Sequence, residues 1–95
     1  MTGGQASISS DILARYAADA ANEVDGVREL VGRRSVRIEN GDDGVRVELH
    51  VAVEWGSCIS TVGRAVQDRV AEYLERMADL APAAVDVVVD EVGPA

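Results

Sequence analysis

The stretch that decides the fold is VRVELHVAVEWG, residues 45–56 of a 95-residue chain. Apolar side chains occupy every odd position from Val45 to Trp55, and every even position except Ala52 is polar. Strict alternation with a period of two is typical of a β-strand with one buried and one solvated face. The stretch therefore predicts a strand whose apolar side lies in the core. We expect Trp55 to be the largest side chain of that core.

A shorter strand precedes this one. Val36 and Ile38 alternate with Arg37 and Glu39, and residues 40–44 then read NGDDG. Asparagine, glycine and aspartate in such a run are typical of tight turns. Because the next strand starts directly after the turn, the two strands are predicted to form an antiparallel hairpin.

The region before the hairpin predicts an amphipathic helix. Apolar residues recur at helical spacing after Ser9 and Ser10, either of which can cap the helix N-terminus. Gly26 fits the left-handed position that closes a helix. Residues 27–31 contain three apolar side chains, and we expect them to form a further apolar turn that packs beneath the sheet.

A second amphipathic helix follows the long strand. Ser57 or Ser60 can cap it, and Pro82 is expected to end it. Residues 85–92 are rich in valine and predict the last strand. The predicted buried stripe of the second helix consists of Ile59, Val62, Val66, Val70, Tyr73, Leu74, Met77 and Leu80.

The order of elements is therefore α-β-β-α-β, which indicates a two-layer α+β fold. Each helix has one apolar stripe and the long strand has one apolar face, so both helices are expected on the same side. The prediction is a three-stranded mixed sheet covered on one face by two helices. Whether the last strand lies beside the first or the second strand stays open. Residues 8–92 are expected to be a single domain, with tails at 1–7 and 93–95.

Composition narrows the classes of function. The net charge is −8 and all nine basic residues are arginine, so the surface repels phosphate groups. Nucleic acid and direct docking on anionic lipid are therefore not expected. No apolar run approaches the roughly 20 residues that a membrane-spanning helix needs, so direct insertion into a membrane is not expected either. The single cysteine excludes an internal disulfide and suits a reducing compartment. The chain begins without the pattern of a signal peptide, so we expect it in the cytoplasm.

Residues that could perform chemistry are few. Cys58, near the start of the second helix, is a possible redox thiol. The one histidine that could activate it, His50, lies eight residues earlier, roughly 20 Å along the strand. His50 is also a conceivable metal ligand or pH switch with Glu48 and Glu54, but one histidine with scattered carboxylates is a weak metal signal. We therefore expect no catalytic, cofactor or metal site, and hence no enzyme.

A binding role is the favoured interpretation. The edges and the solvated face of a small sheet must either be protected from unwanted association or serve as binding surfaces. An alternative is a nucleic-acid-associated regulator that uses the edge formed by Arg33, Arg34, Arg37 and Arg46, although the net charge argues against it. The candidate partner face comprises Arg37, Arg46, Glu48, His50, Glu54, Asp86 and Asp90.

Three blocks of sequence carry a resemblance to a known family over residues 8–92. The blocks are Ile8-Ser9 with AANEVDGV at 20–27; VAVEWG at 51–56 with Ile59, Val62 and VQDRV at 66–70; and residues 77–80 leading into VDVVV at 85–89. Together they resemble the bacterial alkaline-shock, or envelope stress response, family of small acidic proteins. Trp55 stands where this family usually has tyrosine, and Asp25 stands where it often has proline.

The resemblance implies a non-enzymatic protein of the envelope or alkaline stress response at the cytoplasmic side of the membrane. It implies self-association into a homo-oligomer, and for some family members a small membrane-anchored protein as partner. The expected function is thus a self-associating or partner-docking scaffold, peripheral to the inner face of the membrane.

Overall fold

A computed structural model describes residues 8–93, which form two helices and one four-stranded sheet. The predicted two-layer α+β class is confirmed. The predicted tail at 1–7 lies outside the described residues, as do residues 94–95. In chain order the elements are α1 (Ser10–Asn22), β1 (Val27–Leu30), β2 (Val36–Gly41), β3 (Gly44–Glu54), α2 (Ile59–Ala78) and β4 (Ala84–Gly93).

The long strand β3 is the centre of the sheet. β2 pairs with it in the predicted antiparallel hairpin, and β4 runs parallel to it over residues 46–54. β1 is antiparallel to β3 at residues 51–53. Because β4 takes one whole edge of β3, β1 and β2 must share the other edge, one after the other. The last strand therefore lies beside β3 and the sheet is mixed.

The strand β1 is the element that the sequence did not predict. Residues 27–31 were expected to form an apolar turn, but Val27–Leu30 pairs with β3. Its half-buried ends flank two exposed residues, and Arg28 is an extra residue in the ladder. This β-bulge removes the period-two signal, since a bulged residue breaks the alternation of faces. The sheet thus has four strands where three were expected, because β1 and β2 lie one after the other along the same edge of β3.

The core lies between β3 and the two helices. It is apolar throughout residues 8–93, and it includes few large side chains. The alanines of α1 allow α2 to approach closely, and the rings of Tyr16 and Tyr73 meet edge to face with centroids 5.9 Å apart. The fully buried members are Ala17, Ala20, Ala21, Val47, Leu49, Val51, Val53, Val66, Val70 and Leu74.

Trp55 is not part of this core; its exposed fraction is 70%. The chain leaves the sheet immediately before it, since the N–H of Glu54 donates to Gly26 O at 2.9 Å and the N–H of Ser57 donates to Glu54 O at 3.1 Å. Gly56 has a φ of 89°, which completes the turn. The alternation of β3 therefore continues one residue beyond the sheet, and Leu49 and Leu74 are the largest fully buried side chains.

The ends of the helices agree with the sequence in part. Ser9 caps α1, because its Oγ accepts from the N–H of Ile12 at 3.2 Å, and Gly26 has the expected positive φ of 96°. The cap of α2 was predicted wrongly. Cys58 occupies the N-cap position and makes no side-chain cap bond, whereas Ser57 and Ser60 were expected there.

The C-terminal end of α2 also differs from expectation. The helix ends at Ala78, and Asp79 adopts a left-handed conformation with φ 53° before Pro82 is reached. The middle of the predicted stripe is buried. Ile59 at its start and Met77 near its end are about half exposed, at 47% and 46%.

Candidate partner-docking face

Seven residues predicted as a partner face lie along β2, β3, β4 and their ends. We call this set the open sheet face, because the helices cover the opposite side of the sheet. It carries four carboxylates against two arginines, with His50 between them. Its members are Arg37, Arg46, Glu48, His50, Glu54, Asp86 and Asp90.

His50 is the centre of the most closely connected part of this face. Its Nε2 lies 2.8 Å from Glu48 Oε2, and its Nδ1 lies 2.9 Å from Asp90 Oδ2. Asp90 is the extra residue of a β-bulge, since Val89 pairs with Val51 and Glu91 with Ala52. A bulge turns a side chain away from the regular pleat, which here allows the Asp90 carboxylate to reach the imidazole.

This arrangement requires a proton that a neutral imidazole does not have. A neutral ring has one N–H and one lone pair, so it can donate to only one of two carboxylates. The charged ring donates to both. Hydrogen bonds to Glu48 and to Asp90 therefore raise the pKa of His50 above its usual value. The side chain of His50 is 26% exposed, so the ring remains accessible to water.

The two arginines of the face are paired with nearby carboxylates. Arg37 Nη2 lies 3.3 Å from Glu39 Oε2, and its Nη1 lies 4.0 Å from Glu48 Oε2. Arg46 bonds Asp43 in the hairpin turn at 3.1 Å, which raises the pKa of Arg46 and lowers that of Asp43. Glu39 and Asp43 thus pair with members of this face, although neither is among the seven predicted residues.

Among residues 8–93, the side chains of Glu54 and Asp86 make no hydrogen bond to the His50 cluster. Asp86 is opposite Glu48 in the register of β3 and β4, and Glu54 is the last residue of β3. Within residues 8–93 neither carboxylate forms an ion pair. The structure therefore brings five of the seven predicted residues into two connected groups and leaves these two as separate negative charges.

Cys58 is exposed, and its thiol contacts two hydroxyl groups. Its Sγ lies 3.4 Å from Ser60 Oγ and 3.2 Å from Thr61 Oγ1. Hydrogen bonds from Ser60 and Thr61 to the thiolate lower its pKa to about 7. Both nitrogens of His50 are occupied by carboxylates, so this histidine does not serve as a base for the thiol.

Two further findings concern ligands and membranes. Among residues 8–93 no three or more His, Cys, Asp or Glu side chains are grouped as a metal site would require. Glu48 and Asp90 contact different nitrogens of His50, so the two carboxylates lie on opposite sides of the ring and do not face a common metal position. Neither helix in this range combines the length and the apolar character needed to cross a membrane.

The fold and this face define a small two-layer α+β domain in which, among residues 8–93, the two helices cover only one side of the sheet. Residues 31–94 match the alkaline shock protein 23 family, which is described by a cell envelope-related function. The chain belongs to this family, and the resemblance found in the sequence is confirmed. It is also similar to the uncharacterized protein YqhY of Bacillus subtilis (strain 168), with 27% identity over 92 residues, 81% of this chain and 68% of that protein.

Solved structures of the MamM CTD have the same fold. A cadmium form matches with a TM-score of 0.66 and 16% identity, and covers 90% of this chain and 100% of that chain. A second MamM CTD structure has a TM-score of 0.66 and 15% identity, and covers 87% of this chain and 99% of that chain. At such low identity the likeness concerns the fold alone.

Proposed function

We propose that this protein is a non-enzymatic scaffold of the envelope stress response that docks partners on the open sheet face. Membership in a family with a cell envelope-related function supports the cellular setting. The observation that carries the proposal is the face itself, where charged side chains occupy a sheet surface without a covering layer in residues 8–93. A solvated sheet face with fixed charges of both signs provides register and specificity for a partner surface.

The arrangement of reactive groups supports a role without catalysis. The only histidine uses both ring nitrogens for carboxylates, and the only thiol contacts hydroxyl groups. A nucleophile is activated by an adjacent base or by a lowered pKa, and of these two Cys58 shows only the lowered pKa. Docking is therefore the function to which these residues are better suited.

The proposed location is the cytoplasmic side of the membrane, where a small membrane-anchored protein holds the domain. An acidic surface repels anionic lipid, so a protein partner is better suited than the lipid itself to hold a chain of net charge −8. Self-association of the domain would increase the strength of such docking, because several linked faces then bind together.

Fractionation of the native host tests this proposal. The protein should sediment with native membranes and should not sediment with vesicles of plain lipid. The variant Arg37→Glu/Arg46→Glu should lose this sedimentation, since both arginines lie on the open sheet face. Arg15→Glu/Arg64→Glu changes the net charge equally on exposed positions of the helices and should behave as the wild type.

Thermal unfolding of both double variants is the control for folding, because each exposed ion pair contributes only about 0–1 kcal/mol. Membrane sedimentation that is equal in both double variants would contradict the docking face. Protein that stays soluble with native membranes would contradict the membrane location.

A further inference from the structure

Trp55 is an exposed aromatic side chain held on a fixed turn. It is the only tryptophan, and 70% of it is accessible to solvent. Backbone hydrogen bonds on both sides of it, from Glu54 to Gly26 and from Ser57 to Glu54, fix the turn that presents it. A rigid aromatic group loses little conformational entropy on binding, so such residues are frequent anchors of protein interfaces.

A groove lies where the end of α1 meets the first half of α2. Its volume is about 330 Å³. An engineered apolar cavity of about 150 Å³ is large enough for benzene, so this groove has room for an indole ring. The apolar part is formed by Val24, Val62 and Ala65, and the charged part by Glu23, Asp25 and Arg69. Trp55 of the same chain is not among the lining residues.

The side chain and the groove lie at the same end of the molecule. Gly26 directly follows Asp25 of the groove, and its carbonyl oxygen accepts the N–H of Glu54, the residue before Trp55. Gly26 also lies against the groove residue Val62. In a dimer with a two-fold axis, Trp55 of each copy can therefore contact the groove of the other copy. A symmetric interface requires such a reciprocal pair of contacts.

We propose that Trp55 of one copy inserts into this groove of a second copy. The chemistry of the groove matches an indole in three respects. Its apolar floor accepts the ring, the guanidinium of Arg69 is available for a cation–π contact, and the carboxylates of Glu23 and Asp25 can accept the indole N–H. Arg69 is already oriented by Glu23, with Nη1 3.1 Å from Oε1.

The proposed contact rests on the self-association part of the proposed function, and it uses a surface other than the open sheet face. One tryptophan buries about 150–250 Å², whereas stable interfaces bury about 1,200–2,000 Å² in total. Two reciprocal insertions therefore predict a dimer that depends on protein concentration.

Analytical ultracentrifugation and tryptophan emission over a wide concentration range test the proposal. Because Trp55 is the sole tryptophan, its emission should move to shorter wavelength as the dimer forms. Trp55→Ala should reduce dimer affinity at least about tenfold, as expected for a central aromatic anchor. Ala65→Leu, which fills the groove and keeps Trp55, should weaken the dimer as well. Ala71→Leu adds the same volume to α2 outside the groove and should leave the dimer unchanged.

The outcomes separate this inference from the docking function. A dimer that persists in Trp55→Ala, or that is lost only in Arg37→Glu/Arg46→Glu, would overturn the tryptophan contact and leave docking on the open sheet face standing. A monomer at every concentration would overturn it too, and so would an emission shift produced by lipid vesicles instead of by protein concentration. Wild-type protein that forms a Trp55-dependent dimer but does not sediment with native membranes would contradict only the proposed scaffold function.

Discussion

Gly26 lies against Val62, so close that a Cβ at position 26 would be 2.7 Å from Val62 Cγ2. The same residue has a φ of 96°, a backbone conformation that residues other than glycine adopt only at a cost in free energy. Gly26 therefore combines two requirements, a left-handed backbone and a close approach of α2 to the turn after α1.

Gly26→Ala should lower the free energy of unfolding by about 2–4 kcal/mol, from the backbone strain and the overlap with Val62 together. Gly32→Ala is a matched control, because Gly32 also has a positive φ, 89°, but no atom within 4 Å of an added Cβ. That variant should lose only about 1–2 kcal/mol. Urea unfolding of both variants measures the difference, and equal losses would contradict the role of Val62.

Trp55→Ala should have a small effect on stability, because most of the ring is already in water. We expect a loss of about 1 kcal/mol or less, whereas Leu74→Ala, at a fully buried position, should lose about 2–5 kcal/mol. Denaturant unfolding of dilute protein, where association is absent, makes this comparison. A larger loss for the tryptophan variant than for Leu74→Ala would mean that Trp55 packs inside the fold.

The sequence predicted most of the fold because β3 and α2 have regular apolar periods. The position of β4 could not be predicted, since its valines fit either edge of a sheet. Arg28 and Asp90 show why the irregular parts of β1 and β4 were not predicted. Each is the extra residue of a β-bulge, and bulges depend on pairing with a distant strand, which local periodicity does not record.

The candidate face was predicted as a set of residues but not as contacts. Alternation along β3 places Arg46, Glu48 and His50 on one face, so the list followed directly from the period of two. The contact between His50 and Asp90 joins residues forty positions apart, and it depends on the register between β3 and β4. The exposure of Trp55 was missed because the apolar alternation continues past the last paired residue of β3.

Cys58 should react with alkylating reagents as an exposed thiol with a pKa of about 7. The reaction rate should therefore rise with a midpoint near pH 7. Ser60→Ala should move the midpoint upward, and Thr61→Val should do so less, since the Ser60 hydroxyl has the larger effect on the pKa. Ser57→Ala, which leaves both hydroxyl contacts of the thiol in place, is the control. A midpoint that is unchanged in Ser60→Ala and Thr61→Val would show that these hydroxyls do not stabilise the thiolate.

The protonation of His50 should make the stability of the protein depend on pH. Hydrogen bonds to Glu48 and Asp90 raise the folded-state pKa above 6.5, the usual value for histidine. The stabilisation is therefore fully present below about pH 6.5 and is lost as the pH rises through the folded-state pKa. His50→Gln should accordingly lose most stability relative to the wild type in mildly acidic solution, and the difference should shrink toward alkaline pH.

Urea unfolding across this range measures the difference in stability, and an NMR titration of the imidazole measures the pKa of His50 itself. Asp90→Asn should lower that pKa toward 6.5, because only the Glu48 carboxylate then remains; a wild-type pKa at or below 6.5 would contradict the bridging imidazolium.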